Sequence, residues 1–139
     1  MADPAAIARE YLEGWNRRDW NRWSELLHPQ YSYIGGDGMR QDGPEAALAV
    51  GQMFATAFPD GKLEIQHIHV VGNVAITEFT ARGTQDGELM GIAPTGRSMT
   101  LPVCNVIEVR DGKIHAEREY MDMAHLMQQL GVMPAPATA

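Results

Sequence analysis

The chain has 139 residues, a formal net charge of −7 and a single cysteine. That length holds one core but not two, one Cys excludes an internal disulfide framework, and the acidic balance argues against general nucleic-acid binding. No stretch approaches a membrane span, and the Met-Ala-Asp-Pro start lacks a signal peptide's basic and apolar regions. The expectation is a cytoplasmic protein with a hydrophobic small-molecule ligand and no nucleic-acid or membrane partner.

Asp3-Pro4 reads as an N-cap followed by proline at the first helical position. Ile7, Tyr11 and Trp15 repeat every four residues, which marks a helix with one buried stripe. Arg17, Arg18 and Asp19 close it, and a second short helix is expected from about Trp20 to Leu27, before Pro29. Three tryptophans and Tyr11 fall in the first 23 residues, as core or as the wall of a pocket for a flat ligand.

Tyr31 to Ile34 reads as a strand ended by Gly35-Gly36-Asp37-Gly38. That glycine cluster lacks the Gly-Lys-Ser/Thr ending of a phosphate loop and is read as a turn. Gly43-Pro44-Glu45 opens a third helix, broken at Phe58-Pro59-Asp60-Gly61. Leu63 to Val71 and Val74 to Ala81 form a hairpin through Gly72-Asn73, with His67 across from Glu78 and His69 across from Ile76. Two histidines two apart on a strand, without a third ligand, give an ion pair between His67 and Glu78 in preference to a metal site. A Gly- and Pro-rich stretch covers Gly83 to Arg97. Met123 to Leu130 is amphipathic and capped by Gly131, and a disordered tail is expected over residues 133–139.

The chain is organised around Leu101 to Asp122, two strands joined at Asp111-Gly112. A two-residue turn sets a mirror-image register: Val109 with Ile114, Ile107 with Ala116, Asn105 with Arg118, Val103 with Tyr120, and Leu101 with Asp122. These ten residues should share one face, apolar near the turn and then polar, like a pocket floor. Cys104, Val106, Glu108, His115, Glu117 and Glu119 should lie on the outer face. Helices first, antiparallel strands next and a closing helix make an α+β domain over residues 1–132, a cone with a strongly bent sheet wrapped around the N-terminal helices.

Several motifs resemble one family. Gly87-Glu-Leu-Met-Gly91, Ala93-Pro-Thr-Gly-Arg97, Asp111-Gly-Lys-Ile114, Asp122 and Gln129-Leu-Gly131 look like the SnoaL-like polyketide cyclases, as do Trp15-Asn16, Asp19 and Phe58-Pro59-Asp60. The resemblance covers about residues 5–132. It implies the nuclear transport factor 2-like (cystatin-like) cone and a homodimer packed through the sheet. It also implies ring closure of a polyketide ester by an intramolecular aldol reaction without metal or cofactor. Its acid/base aspartate sits at the end of the last strand, where Asp122 stands.

An aldol closure needs a base for the proton alpha to a carbonyl, and a carboxylate in an apolar cavity becomes a better base because its charged form is destabilised. Asp122 is the candidate acid/base. Asn105, Arg118 and Tyr120 are candidates to orient an enolate oxygen, and Trp15, Tyr33, Leu101 and Val103 to line the pocket. The rival structural role for Asp122 is a helix N-cap, with Arg118 as its ion-pair partner. The chain departs from the family at Arg118, where an aromatic is common, at Gln85, near a frequent histidine, and at Glu78, where an arginine is frequent. Two other functions fit the same scaffold: epoxide hydrolysis by an Asp–Arg–Asp relay around Arg118, and non-catalytic binding of an apolar ligand.

Overall fold

The computed structural model describes residues 3–134. Asp3 opens the first helix, its carboxylate accepting the Ala5 N–H at 3.0 Å, and α1 runs Pro4–Arg17. Ala8, Tyr11, Leu12 and Trp15 form its buried stripe. At its end Arg18 turns left-handed, at φ 59°, and its guanidinium lies 4.0 Å above the Trp15 ring. The same side chain donates to the Gly61 carbonyl at 3.0 Å, tying α1 to the turn before the third strand.

The second helix, α2 (Trp20–Ser24), is shorter than its apolar pattern suggested, because Leu27 already belongs to β1 (Leu27–Ile34). Pro29 is accommodated inside that strand where its pairing is irregular, between Leu27 and Ser32. There follow β2 (Arg40–Asp42), α3 (Pro44–Ala57), β3 (Lys62–Val71), β4 (Val74–Thr84), β5 (Ser98–Arg110), β6 (Lys113–Met121) and α4 (Met123–Gln129). Gly87 lets the loop after β4 lie on the end of α3, since a Cβ there would sit 2.2 Å from the Thr56 carbonyl oxygen.

One six-stranded sheet has the order β2-β1-β6-β5-β4-β3. Among the described residues only the β1–β6 pair is parallel. The sheet curls without closing, and α1 packs against β3, β4 and β5 on its concave side. This is the α+β cone expected from the order of elements. The core fills the concave face, with Phe79, Leu101, Ile107 and Ile114 all at most 3% exposed. Among the described residues no helix is long and apolar enough to cross a membrane. The expected tail lies, for residues 135–139, outside the described residues.

Register decides what faces the cone's interior. In the β3–β4 hairpin the mirror-image pairing holds from the turn to His67↔Glu78 and shifts only beyond, before Ile65. In the β5–β6 hairpin it holds for Arg110↔Lys113 and Val109↔Ile114, then shifts by one residue. The extra residue on β6 is His115, since Glu108 already faces Ala116. Such a bulge reverses the facing of everything beyond it. The true partners are therefore Ile107↔Glu117, Asn105↔Glu119 and Val103↔Met121, in place of the expected Ala116, Arg118 and Tyr120. Glu117 and Glu119 turn inward, and Arg118 and Tyr120 turn outward.

Candidate functional site

Between α1, α3 and the concave sheet lies a cavity of about 100 Å³. That is several times the roughly 10–15 Å³ that one water occupies. Its walls are mostly apolar: Leu12 and Trp15 from α1, Val50 and Phe54 from α3, Leu101 and Val103 from β5. α4 closes it with Leu126. The four pocket-lining expectations at Trp15, Tyr33, Leu101 and Val103 coincide with this wall, and Asn105 lines it too. The indole N–H groups hold the helices in place. Trp15 donates to the Gly51 carbonyl and Trp23 to the Tyr11 carbonyl, each at 3.0 Å.

Two carboxyl groups meet at the polar side of this cavity. Glu117 is 2% exposed and accepts hydrogen bonds from three donors. Its Oε1 takes the hydroxyls of Tyr11 and Tyr31, both at 2.6 Å, and its Oε2 takes the Asn105 amide at 2.7 Å. Burial pushes its pKa up, and the two tyrosine hydrogen bonds oppose that rise. Glu119 has a poorer set of partners. The Tyr33 hydroxyl donates to its Oε1 at 3.0 Å, and Asn105 is its cross-strand neighbour. Burial first, and the charge of Glu117 second, raise its pKa to about 8, against a lowering by the side chains of Tyr33 and Asn105. Burial, with the neighbouring carboxylates adding to it, also lifts Tyr11, Tyr31 and Tyr33 well above the ordinary phenol range, so all three stay donors.

The expected orienting residues Arg118 and Tyr120 are corrected by the bulge. Arg118 sits on the convex face, with its Nη1 2.5 Å from Glu108 Oε2, and Tyr120 is 57% exposed. An Asp–Arg–Asp relay through Arg118 therefore fails, because that side chain lies outside the cavity; the arginine at its wall is Arg82, paired with Glu64. Asp122 does not face Leu101 across a pocket wall. It is exposed, and its Oδ1 accepts the His125 N–H at 2.9 Å as the N-cap of α4. The expected His67–Glu78 ion pair is also corrected: these two are register partners, but His69 makes the 3.4 Å contact with Glu78. Gln85 is fully buried and bonds the Gly87, Ile92 and Ala93 carbonyls and Thr95, so it staples the loop before β5. Burial, then Glu78, raises the Cys104 thiol, which leaves little thiolate.

Sequence reasoning missed Glu117 and Glu119, yet a signal existed. Ile114 and Met121 are both apolar but lie an odd number of positions apart, so they can share a face only if the strand carries an extra residue. No group of three metal-ligating side chains occurs among the described residues.

An apolar cavity inside a curled sheet, with a few convergent polar groups and a carboxyl of raised pKa, is the architecture of a small-molecule site. The comparisons place it more narrowly. The model of the SnoaL-like polyketide cyclases matches residues 5–130, and the chain belongs to that family. It is 29% identical to the aklanonic acid methyl ester cyclase AcmA of Streptomyces galilaeus, over 99% of this chain and 96% of that one. It is 31% identical to the nogalonic acid methyl ester cyclase of Streptomyces nogalater, over 77% and 81%. Among solved structures, IdmH of Streptomyces antibioticus superposes with a TM-score of 0.81 at 30% identity, covering 94% of this chain and 99% of that one.

Proposed function

We propose that the protein is a cofactor-independent polyketide ester cyclase whose acid/base group is Glu119. The observation that carries this reading is a carboxyl on the wall of an apolar cavity, with its pKa lifted to about 8 by burial and by Glu117. Such a group exchanges a proton near neutral pH, as a general acid/base must. The ionised Glu119 takes a proton from the carbon alpha to a substrate carbonyl. The enolate carbon then forms the new C–C bond to a second carbonyl of the same molecule, and the resulting alkoxide takes the proton back from Glu119. The reaction is an isomerisation with no net proton change. The Tyr33 hydroxyl, 3.0 Å from Glu119, is placed to donate to a developing oxyanion once substrate enters. The family resemblance and the names of the relatives support a hydrophobic ester as substrate.

We carry the homodimer in the same proposal. The convex face bears the exposed Tyr120 on one rung with Cys104 and Glu78, and Val106 and Ile76 on the next with Arg118. Arg118 is paired with Glu108 and Glu78 with His69, so a second copy would meet apolar side chains and charges already paired. Sedimentation of wild type and Tyr120→Glu tests it: a dimer that the variant dissociates supports this face.

The catalytic test uses aklanonic acid methyl ester as probe. Wild type should cyclise it and Glu119→Gln should lose at least about a hundredfold in turnover, the usual range for a lost acid/base group. Full turnover by Glu119→Gln would remove the assignment. Tight binding with no product from the wild type would favour a carrier.

A further inference from the structure

Glu117, buried, and Glu119, half-buried, stand two residues apart on one strand, and their partners differ in a way that assigns each a state. Every contact to Glu117 is a donor: two phenol hydroxyls from α1 and β1, and one amide from β5. Three donors satisfy an anion fully, whereas a protonated carboxyl could place its own hydrogen only by turning one phenol hydroxyl from donor to acceptor. Glu119 receives one tyrosine. Between them stands Asn105, 1% exposed, whose Nδ2 donates to Glu117 at 2.7 Å while its Oδ1 has no hydrogen-bond partner among the described residues. A buried amide oxygen without a donor is costly, and Asn105 is the cross-strand partner of Glu119.

We propose that Glu117 is the ionised, positioning member of the pair and that Asn105 forks between the carboxyls, donating to Glu117 and accepting the proton carried by Glu119. The exchangeable proton is thereby kept on the cavity-facing glutamate. The neighbouring groups are consistent with this order. Tyr11, Tyr31 and Tyr33 remain protonated donors, and Arg82, on β4 at the cavity wall, is held by Glu64 at 2.9 Å. α3 and α4 contribute only apolar side chains and a glycine to the cavity. Arg118 lies on the other face with Glu108. This inference builds on the acid/base reading of Glu119 but concerns the resting protein, so it can be read without substrate.

The experiment is a pH titration, by NMR, of protein carrying 13C at its glutamate carboxyls, with Glu119→Gln used to assign the upper step. In wild type one glutamate should titrate near 8 and belong to Glu119. In Glu117→Gln that step should fall by about one unit or more, a tenfold loss of proton affinity. Tyr31→Phe, which removes one donor from Glu117, should raise the lower step and leave the upper one in place. Asn105→Leu should bring the two steps together. An upper step unmoved in Glu117→Gln, or a Tyr31→Phe effect confined to the upper step, overturns the proposal. If the titrations behave as stated while Glu119→Gln still cyclises the ester, the ordering of the pair stands and the catalytic assignment alone is lost.

Discussion

The two long hairpins of this sheet carry the same irregularity at different distances from their turns. In β3–β4 the shift comes after five paired positions, beyond His67, so the mirror-image register drawn from Gly72-Asn73 is right for the half next to the turn. In β5–β6 it comes after two, at His115, so nearly the whole of β6 is reversed. An extra residue inverts only what lies beyond it. A turn motif therefore fixes pairing locally, and its authority ends at the first bulge. In the first hairpin the bulge left the predicted pairs next to the turn intact, and the ion pair moved to His69 by a diagonal contact and not by a change of register. In the second it hid the candidate site.

Deleting His115 would remove the early shift that sets the two hairpins apart. Restoring the mirror image would drive Arg118 and Tyr120 into the cavity and put Glu117 and Glu119 outside. An unpaired arginine in that core costs several kcal/mol, a large share of a domain's usual net stability of about 5–15 kcal/mol, and two glutamates lose their donors as well. The deleted chain should therefore lose most or all of its cooperative urea transition. Next in size is the core both hairpins share. Ile107 is fully buried opposite Glu117, and Ile107→Ala should cost about 2–5 kcal/mol, read from the urea midpoint.

A smaller effect sharpens the contrast between the residue that the resemblance pointed to and the one that the bulge turns inward. Asp122→Asn keeps a good N-cap, so it should retain both stability and turnover, whereas Asp122→Ala should lose about 1 kcal/mol from the cap. Abolished turnover in a folded Asp122→Asn would return the acid/base role to Asp122.

The gentlest probe is pH. Glu119 has a folded pKa of about 8 against an ordinary 4.5, so its protonated form is favoured by folding. Its contribution to stability is complete below about 4.5 and is lost as pH rises through about 8. The thermal midpoint should fall across that window, and the fall should be smaller in Glu119→Gln. Turnover should rise over the same range as the base form appears, so stability and activity move in opposite directions.

Much of this was written locally in the chain. Asp3-Pro4 opened α1, Gly72-Asn73 and Asp111-Gly112 made their turns, and Ile7, Tyr11 and Trp15 marked the helix that the sheet wraps. On β5, Leu101, Val103, Asn105, Ile107 and Val109 kept strict alternation, so that wall of the cavity was legible too. The family was legible from motifs spread along the chain, and the family match agrees with them.

The facing of β6 was not, because His115 to Tyr120 includes almost no apolar residue to set parity; only the odd spacing of Ile114 and Met121 recorded the extra residue. The sequence alone determined most elements and their order, since these follow from short-range pattern and turn chemistry, while the motifs that resemble the family carried the family and its cone; β2 (Arg40–Asp42) was not read from it. Tertiary structure alone decided which acids face the cavity. The burial of Glu117 depends on Tyr11, Tyr31 and Asn105 arriving from a helix and two other strands. A charge goes inside only where distant donors already wait for it, and no local stretch of sequence contains them.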